Sequence, residues 1–212
     1  MMDIKEKDEH VNSLMNNIDT VRAIIECHDV IKLHLGCGTI YKNGWINIDN
    51  NSDSNIAKLD LNLDLRAALP FPDNRVDFIF NEHFLEHLSP ADAVCLLKDC
   101  RRTLKPGGVL RVAMPDLADC VEAYISPGWL QKNRDILQKG GIDFIQTPAE
   151  FMNIAFRWWG HQWLYDWEEL RRRLQEAGFT QIVRCANGES VHLELQHLEV
   201  RETSTLVAEA TK

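Results

Sequence analysis

The chain has 212 residues with 45% apolar and 26% charged residues, a globular composition with enough apolar surface for a sizeable core. A net charge of −9, with no basic run beyond Arg171-Arg172-Arg173, argues against a duplex nucleic acid partner. No apolar run approaches the roughly 18–20 residues of a membrane helix, and the charged first ten residues lack the apolar centre of a signal peptide. Six cysteines without a C-x-x-C pair fit free thiols in a reducing cytosol, so the expectation is a cytoplasmic protein with no membrane partner, monomeric or homodimeric.

Val11, Leu14, Met15, Ile18, Val21, Ile24 and Ile25 recur at spacings of three and four, predicting an amphipathic helix that ends near Cys27 within an N-terminal segment, residues 1–28. Ile31-Lys-Leu-His-Leu35 then alternates as a strand and stops at Gly36-Cys37-Gly38, a turn whose glycines can take positive φ and bring backbone close to a ligand. Trp45-Ile-Asn-Ile-Asp49 is a second strand ending in an acid. Asp49 follows Gly38 by 11 residues, against about 20 in a dinucleotide fingerprint, so the intervening helix must be short or missing.

Ile56 to Leu61 reads as a third short strand carrying Asp60 at its end, and Leu69-Pro-Phe-Pro-Asp-Asn74 as a turn. Val76-Asp-Phe-Ile-Phe80 is nearly continuous in apolar residues, as in a central parallel strand buried on both faces. A helix from about Pro90 to Leu104 presents Ala93, Leu96, Leu97, Cys100 and Leu104, and Lys105-Pro-Gly-Gly108 stops it before a fifth strand, Val109–Met114. Residues 115–165 are looser and rich in aromatics, a cap between the fifth strand and the next helix. Asp166 to Ala177 is a helix with an N-cap acid and a glutamate three residues later, closed by Gly178. Phe179–Cys185 and Thr203–Glu209 are two closing strands. The order predicts a single α/β domain, a Rossmann-like sheet of seven mostly parallel strands with an antiparallel last strand and helices on both faces, binding its ligand at the strand carboxyl ends.

These pieces, in this order, resemble a class I S-adenosylmethionine-dependent methyltransferase of the broad type 11 group. Leu35-Gly-Cys-Gly38 resembles the glycine-rich first motif, Asp49 the acid that holds the ribose hydroxyls, and Asp60-Leu61 the adenine-binding step. Val76–Phe80 followed by Asn81-Glu82-His83, and Leu104-Lys-Pro-Gly-Gly108, resemble the fourth strand and the turn before the fifth. The resemblance implies S-adenosyl-L-methionine as cofactor, held by His34, Gly36, Cys37, Gly38, Asp49, Asn50, Asp60, Leu61, Asn81 and Glu82. The sequence departs from the pattern at His34, where the family has an acid, and at Ile40, where it has a third glycine. The Gly-Trp-Ile-Asn-Ile-Asp run and a later Trp-Gly-His-x-x-x-Tyr-Asp run resemble a subgroup among bacterial proteins, some of them linked to surface-polysaccharide pathways, and the resemblance implies a small-molecule or glycan-like methyl acceptor.

His83-Phe-Leu-Glu-His87 also matches the H-x-x-E-H pattern of some zinc peptidases. No third ligand is evident in the sequence, so no metal is expected, and Glu86 and His87 are expected to cap and anchor the helix entrance. Trp158-Trp-Gly-His-Gln-Trp-Leu-Tyr-Asp166 falls where the resemblance places substrate-facing residues. His83, His161 and Tyr165 are the candidate catalytic groups, since histidine titrates near neutrality and can take a proton from a hydroxyl acceptor. A cofactor-binding module without catalysis is the alternative. A nicotinamide-dependent oxidoreductase is less favoured, because G-x-G-x-x-G would need glycine at Tyr41.

Overall fold

The computed structural model describes residues 17–50 and 58–212. It contains a seven-stranded sheet formed by β1 (Lys32–Leu35), β2 (Ile46–Asp49), β3 (Leu61–Asn62), β4 (Val76–Glu82), β5 (Leu104–Met114), β6 (Gln181–Cys185) and β7 (Leu206–Thr211), in the spatial order β3-β2-β1-β4-β5-β7-β6. Every neighbouring pair from β3 to β5 is parallel, and β7 runs antiparallel to both β5 and β6. The strand order reverses between β1 and β4, which leaves a crevice at their carboxyl ends.

Helices flank this sheet. Helix α1 (residues 17–27), α2 (Pro90–Thr103) and α7 (Trp167–Glu176) contribute Val21, Ile24, Leu96, Leu97, Leu170 and Leu174 to one core, packed on Leu33, Leu35, Ile79, Leu110 and Ala208 of the sheet. The Val11–Met15 portion of the expected first helix and Ile56 of the expected third strand lie outside the described residues. Both α2 and α7 start where the sequence marks them: Ser89 accepts the Asp92 N–H, and Asp166 the Glu169 N–H at 2.8 Å. Arg172 and Arg173 pair with Glu169 and Glu176 along α7, as expected of a helix surface.

The other face carries His34, Asn47, Phe80, Glu82, Arg111 and Val207, and no helix lies between β1 and β2 to cover it: the connection is the irregular run of residues 36–45. The short spacing from Gly38 to Asp49 thus corresponds to a missing helix. Cover comes instead from the segment between β6 and β7, whose Leu195 and Leu198 pack with Trp45, Phe80 and Val207. Buried charges pin that segment. Arg111, fully buried on β5, donates to Glu199 and Glu209 at 2.6 Å each and to the Glu189 carbonyl at 2.9 Å. Glu82, at the end of β4, accepts the Val200 and Arg201 N–H groups and the Ser204 hydroxyl.

Residues 115–165 hold four helices: α3 (Leu117–Ile125), α4 (Trp129–Lys132), α5 (Arg134–Lys139) and α6 (Pro148–Arg157). They pack among themselves through Leu130, Leu137, Ile145 and Ile154, and α3 packs on α6 through Cys120 and Ala155. Thr147 and Glu150 close a reciprocal capping box at the start of α6.

Candidate active site

The glycine turn is built from two unlike glycines. Gly36 has φ +65°, and a Cβ there would stand 2.2 Å from the ring of Phe84, so its missing side chain makes room for Phe84. Gly38 has φ +52° and nothing within 4 Å of a Cβ position, so it alone of the pair leaves open space. Asp49 ties the turn to β2: one carboxylate oxygen accepts the Gly38 N–H at 2.7 Å and the other the Asn50 N–H at 2.6 Å. Cys37 is buried, and burial pushes its thiol up to about 12, which makes it an inert filler of the turn.

Several of the other expected cofactor contacts are already engaged within the protein. Asp60, just before β3, accepts the Asn47 backbone N–H at 2.8 Å, the Asn47 amide at 3.0 Å and the Tyr41 hydroxyl at 2.9 Å. Burial opposes its ionisation, but these hydrogen bonds outweigh it and hold the carboxyl below its ordinary range. Asn47 also takes the Lys42 N–H and donates to the Lys42 and Trp45 carbonyls, so this one amide organises the helix-free connection. His34 lies beneath it with Nδ1 3.1 Å from the Asn47 oxygen and its ring stacked on Phe80 at 5.4 Å. Burial lowers its pKa to about 4, so it is neutral at ordinary pH and cannot replace an acid as a charged partner. The Leu61 side chain belongs to the core, which leaves only its backbone for a ligand, and the Glu82 carboxylate is committed to residues 200–204.

Asn81 is different. It sits beside Leu35 at the end of β4, 1% exposed, and its side-chain oxygen has no hydrogen-bond partner. A buried acceptor left unpaired beside a glycine turn is suited to a ligand N–H or ammonium group. Gly38, Asp49 and Asn81 therefore provide an open cradle, a carboxylate edge and an orphan acceptor around one crevice.

A second constellation follows β4. His83 has φ +51° and stands outside the short 3₁₀ turn Leu85–His87, so the two histidines of H-x-x-E-H are not one helical turn apart as their spacing suggests. Glu86 is fully buried, and neither carboxylate oxygen has a hydrogen-bond partner, which corrects the expected capping role. Its backbone carbonyl instead accepts the Gln162 N–H at 2.8 Å and the Trp163 N–H at 3.2 Å. That strap brings His161 across the site, with Nε2 4.0 Å from Glu86 Oε1 and its ring 4.8 Å from that of His87. The third polar partner for the motif thus lies 74 positions beyond His87 in the sequence and reaches it through a loop whose signal, Gly160-His161-Gln162, carries no spacing rule.

Burial governs the protonation of the cluster. It pushes Glu86 up to about 8, lowers His83 to about 3 and His87 to about 4, and lowers His161 as well. His161 Nδ1 lies 2.7 Å from the Ala155 carbonyl, so that nitrogen carries the proton and Nε2 presents a lone pair. Tyr165 is completely buried with its hydroxyl unpartnered; burial raises its pKa above the ordinary range, and it stands behind Glu86 rather than on a cavity wall. The three expected catalytic residues are thus gathered around Glu86, but only His83 and His161 reach open space.

That space is a cavity of about 760 Å³ between the helical insert and the carboxyl ends of β4 and β5. His83, His87 and His161 line one side, and Leu117, Phe151 and Trp159 lie on the insert side. The glycine turn, Asp49 and Asp60 are not on its walls, so the crevice over β1 and the cavity are separate spaces; Phe84, which lies against Gly36, directly follows His83 of the cavity wall in the chain.

Residues 33–112 match the family model described as a methyltransferase domain. Over those residues the chain is similar to a methyltransferase domain, and its sheet has the class I fold. Among solved structures, this methyltransferase fold is shared with a SAM-dependent methyltransferase from Archaeoglobus fulgidus (19% identity, TM-score 0.51, 94% of each chain covered). A SAM-dependent methyltransferase from Thermotoga maritima is similarly related (17% identity, TM-score 0.52, 99% of this chain and 96% of that one). The protein "Probable methyltransferase ltbC" of Aspergillus luteorubrus is 31% identical over 98 residues, 42% of this chain. The chain spans about a third of that relative's length, 33%. Among the described residues no helix is long and apolar enough to cross a membrane.

Proposed function

We propose that the protein transfers the methyl group of S-adenosylmethionine to a small-molecule or glycan-like acceptor held in the 760 Å³ cavity. The single observation that carries this reading is the adjacency of that cavity, with its histidine wall, to a glycine crevice containing an open Gly38, the Asp49 edge and the orphan Asn81 oxygen. The matching family model and the shared fold support the cofactor.

Asp49 is placed to accept ribose hydroxyls beside its backbone donors, because a carboxylate oxygen has more than one lone pair. Asn81 replaces the missing acid of β1 as acceptor for the amino end, since His34 is neutral and enclosed. When bound, the cofactor supplies an electrophilic methyl group, so the chain's own task is alignment of the acceptor and exclusion of water. His161 Nε2 takes the proton of a hydroxyl or amine acceptor, with Ala155 fixing its tautomer. His83, pushed far down by burial and held near Thr203 at 3.3 Å, is a positioning group for the acceptor.

The test is transfer of isotope-labelled methyl from S-adenosylmethionine to a panel of hydroxylated and amino acceptors, comparing the native chain with His161→Ala. Loss of transfer in the variant with cofactor binding intact supports the reading. Equal transfer by both would remove His161 from the reaction, and cofactor binding with no transfer to any acceptor would favour the non-catalytic module.

A further inference from the structure

The Glu86, His87 and His161 side chains are arranged as ligands without a ligand. Their donor atoms all lie within 4.8 Å of one another. Zinc binds nitrogen and oxygen at roughly 2.0–2.2 Å, which sets tetrahedral donor atoms about 3.4 Å apart, so side-chain shifts on the order of an ångström would close these three around an ion. We propose that these three residues bind one divalent transition-metal ion, of the zinc class, on the wall of the acceptor cavity.

Two independent features point to a cation. The first is Glu86: its side chain is 1% exposed, and both oxygens are buried without any hydrogen-bond partner, so the group is unsatisfied whether protonated or ionised and a cation bound to it would supply the missing partner. The second is the orientation of the histidines. His161 is hydrogen-bonded through Nδ1 to the Ala155 carbonyl, and the His87 ring stands edge-on to the His161 ring with centres 4.8 Å apart. Metal-binding histidines commonly give their second ring N–H to a carbonyl in this way, which fixes the tautomer and turns the free lone pair inward. Here His161 Nε2 is turned toward Glu86. The nearby His83 is 3.6 Å from the same carboxylate oxygen, and its Nε2 is near Thr203.

Three protein ligands leave a coordination position open, and both histidines line the cavity. With the ion bound, His161 Nε2 is a ligand and not a base, so ion binding and the proton-accepting role given to His161 above are mutually exclusive states of that nitrogen, and the ion site does not depend on the acceptor reading. The site departs from the absence of metal expected from sequence, because His161 is invisible as a ligand until the 160–163 strap is folded.

The experiment is titration of the chelator-stripped full chain with Zn²⁺ by calorimetry, and with Co²⁺ by visible absorption, for the native protein, Glu86→Gln, His161→Ala and the exposed control His28→Ala. Far-UV circular dichroism verifies the fold of each, and S-adenosylmethionine affinity is measured on the same samples. The expected result is one Zn²⁺ per native chain, a Co²⁺ spectrum of nitrogen-ligated type, affinity at least about tenfold weaker in folded Glu86→Gln and His161→Ala, and no change in His28→Ala. Absence of binding, or binding that folded Glu86→Gln and His161→Ala retain in full, would overturn the proposal. Because methyl transfer is not the readout, a failed metal site and a failed acceptor reading give different results.

Discussion

Asp49 accepts the backbone N–H of Gly38 at 2.7 Å, so the acid at the end of the second strand is also the tether of the glycine turn on the first. Asp49→Ala therefore removes two things at once. Asp49→Asn keeps the Gly38 bond through its amide oxygen but sets an NH₂ donor where the other oxygen accepts the Asn50 N–H and would face ribose. The expected outcome is at least tenfold weaker S-adenosylmethionine binding, with a smaller stability loss for Asp49→Asn than for Asp49→Ala. Asp49→Ala adds a stability loss of about 1–3 kcal/mol, read from chemical denaturation.

The unlike glycines of the turn should respond unlike. Gly36→Ala places a Cβ inside the Phe84 ring contact at positive φ, whereas Gly38→Ala pays only the backbone strain of roughly 1–2 kcal/mol. Gly36→Ala is expected to be the more destabilising in urea denaturation, and Phe84→Ala added to it should recover part of the loss. Additive effects of the two substitutions would show that the contact is not what excludes the side chain.

The segment covering the open sheet face hangs on buried charge. Glu199→Gln leaves Arg111, itself completely buried, short of one of its two carboxylates. Breaking one side of such a pair costs about 3–5 kcal/mol. Denaturant unfolding should show that loss, and hydrogen exchange should show residues 186–205 opening first.

Buried His34 sets a pH dependence whose sign follows from its depressed pKa of about 4 against an ordinary 6.5. Between those values the unfolded chain binds the proton and the folded chain does not, so stability falls as pH drops from 6.5 towards 4 and levels off below. The contribution is on the order of a few kcal/mol across that window. His34→Gln, which keeps a neutral donor toward Asn47, should reduce the slope between pH 6.5 and 4, leaving the part that His83 and His87 contribute with the same sign. An unchanged slope would mean that His34 protonates freely in the fold.

The succession of strands along the chain and the two well-capped helices were legible because their signals are local: apolar runs, Pro90 in a first turn, the Asp166 cap and Gly178. The missing first helix was legible too, through the distance from Gly38 to Asp49. What replaces it was not. The 186–205 segment is polar, and its anchors, Glu199 to Arg111 and Val200 to Glu82, join residues about 90 and 120 positions apart, which no periodicity records. Of the residues expected to hold the cofactor, His34, Asp60 and Glu82 hold the protein to itself, because motif position does not say whether a side chain already has partners. Glu86 was misread for the opposite reason: a helix-like spacing hides the left-handed His83, and only the folded chain shows a buried carboxyl group without a hydrogen-bond partner.

The most direct test of the account is calorimetric titration of the purified chain with S-adenosylmethionine and with its demethylated product, with NADH as control. The account predicts saturable micromolar binding of the sulfur nucleosides and none of NADH. Absence of binding by either sulfur nucleoside, or binding of NADH in their place, would contradict it.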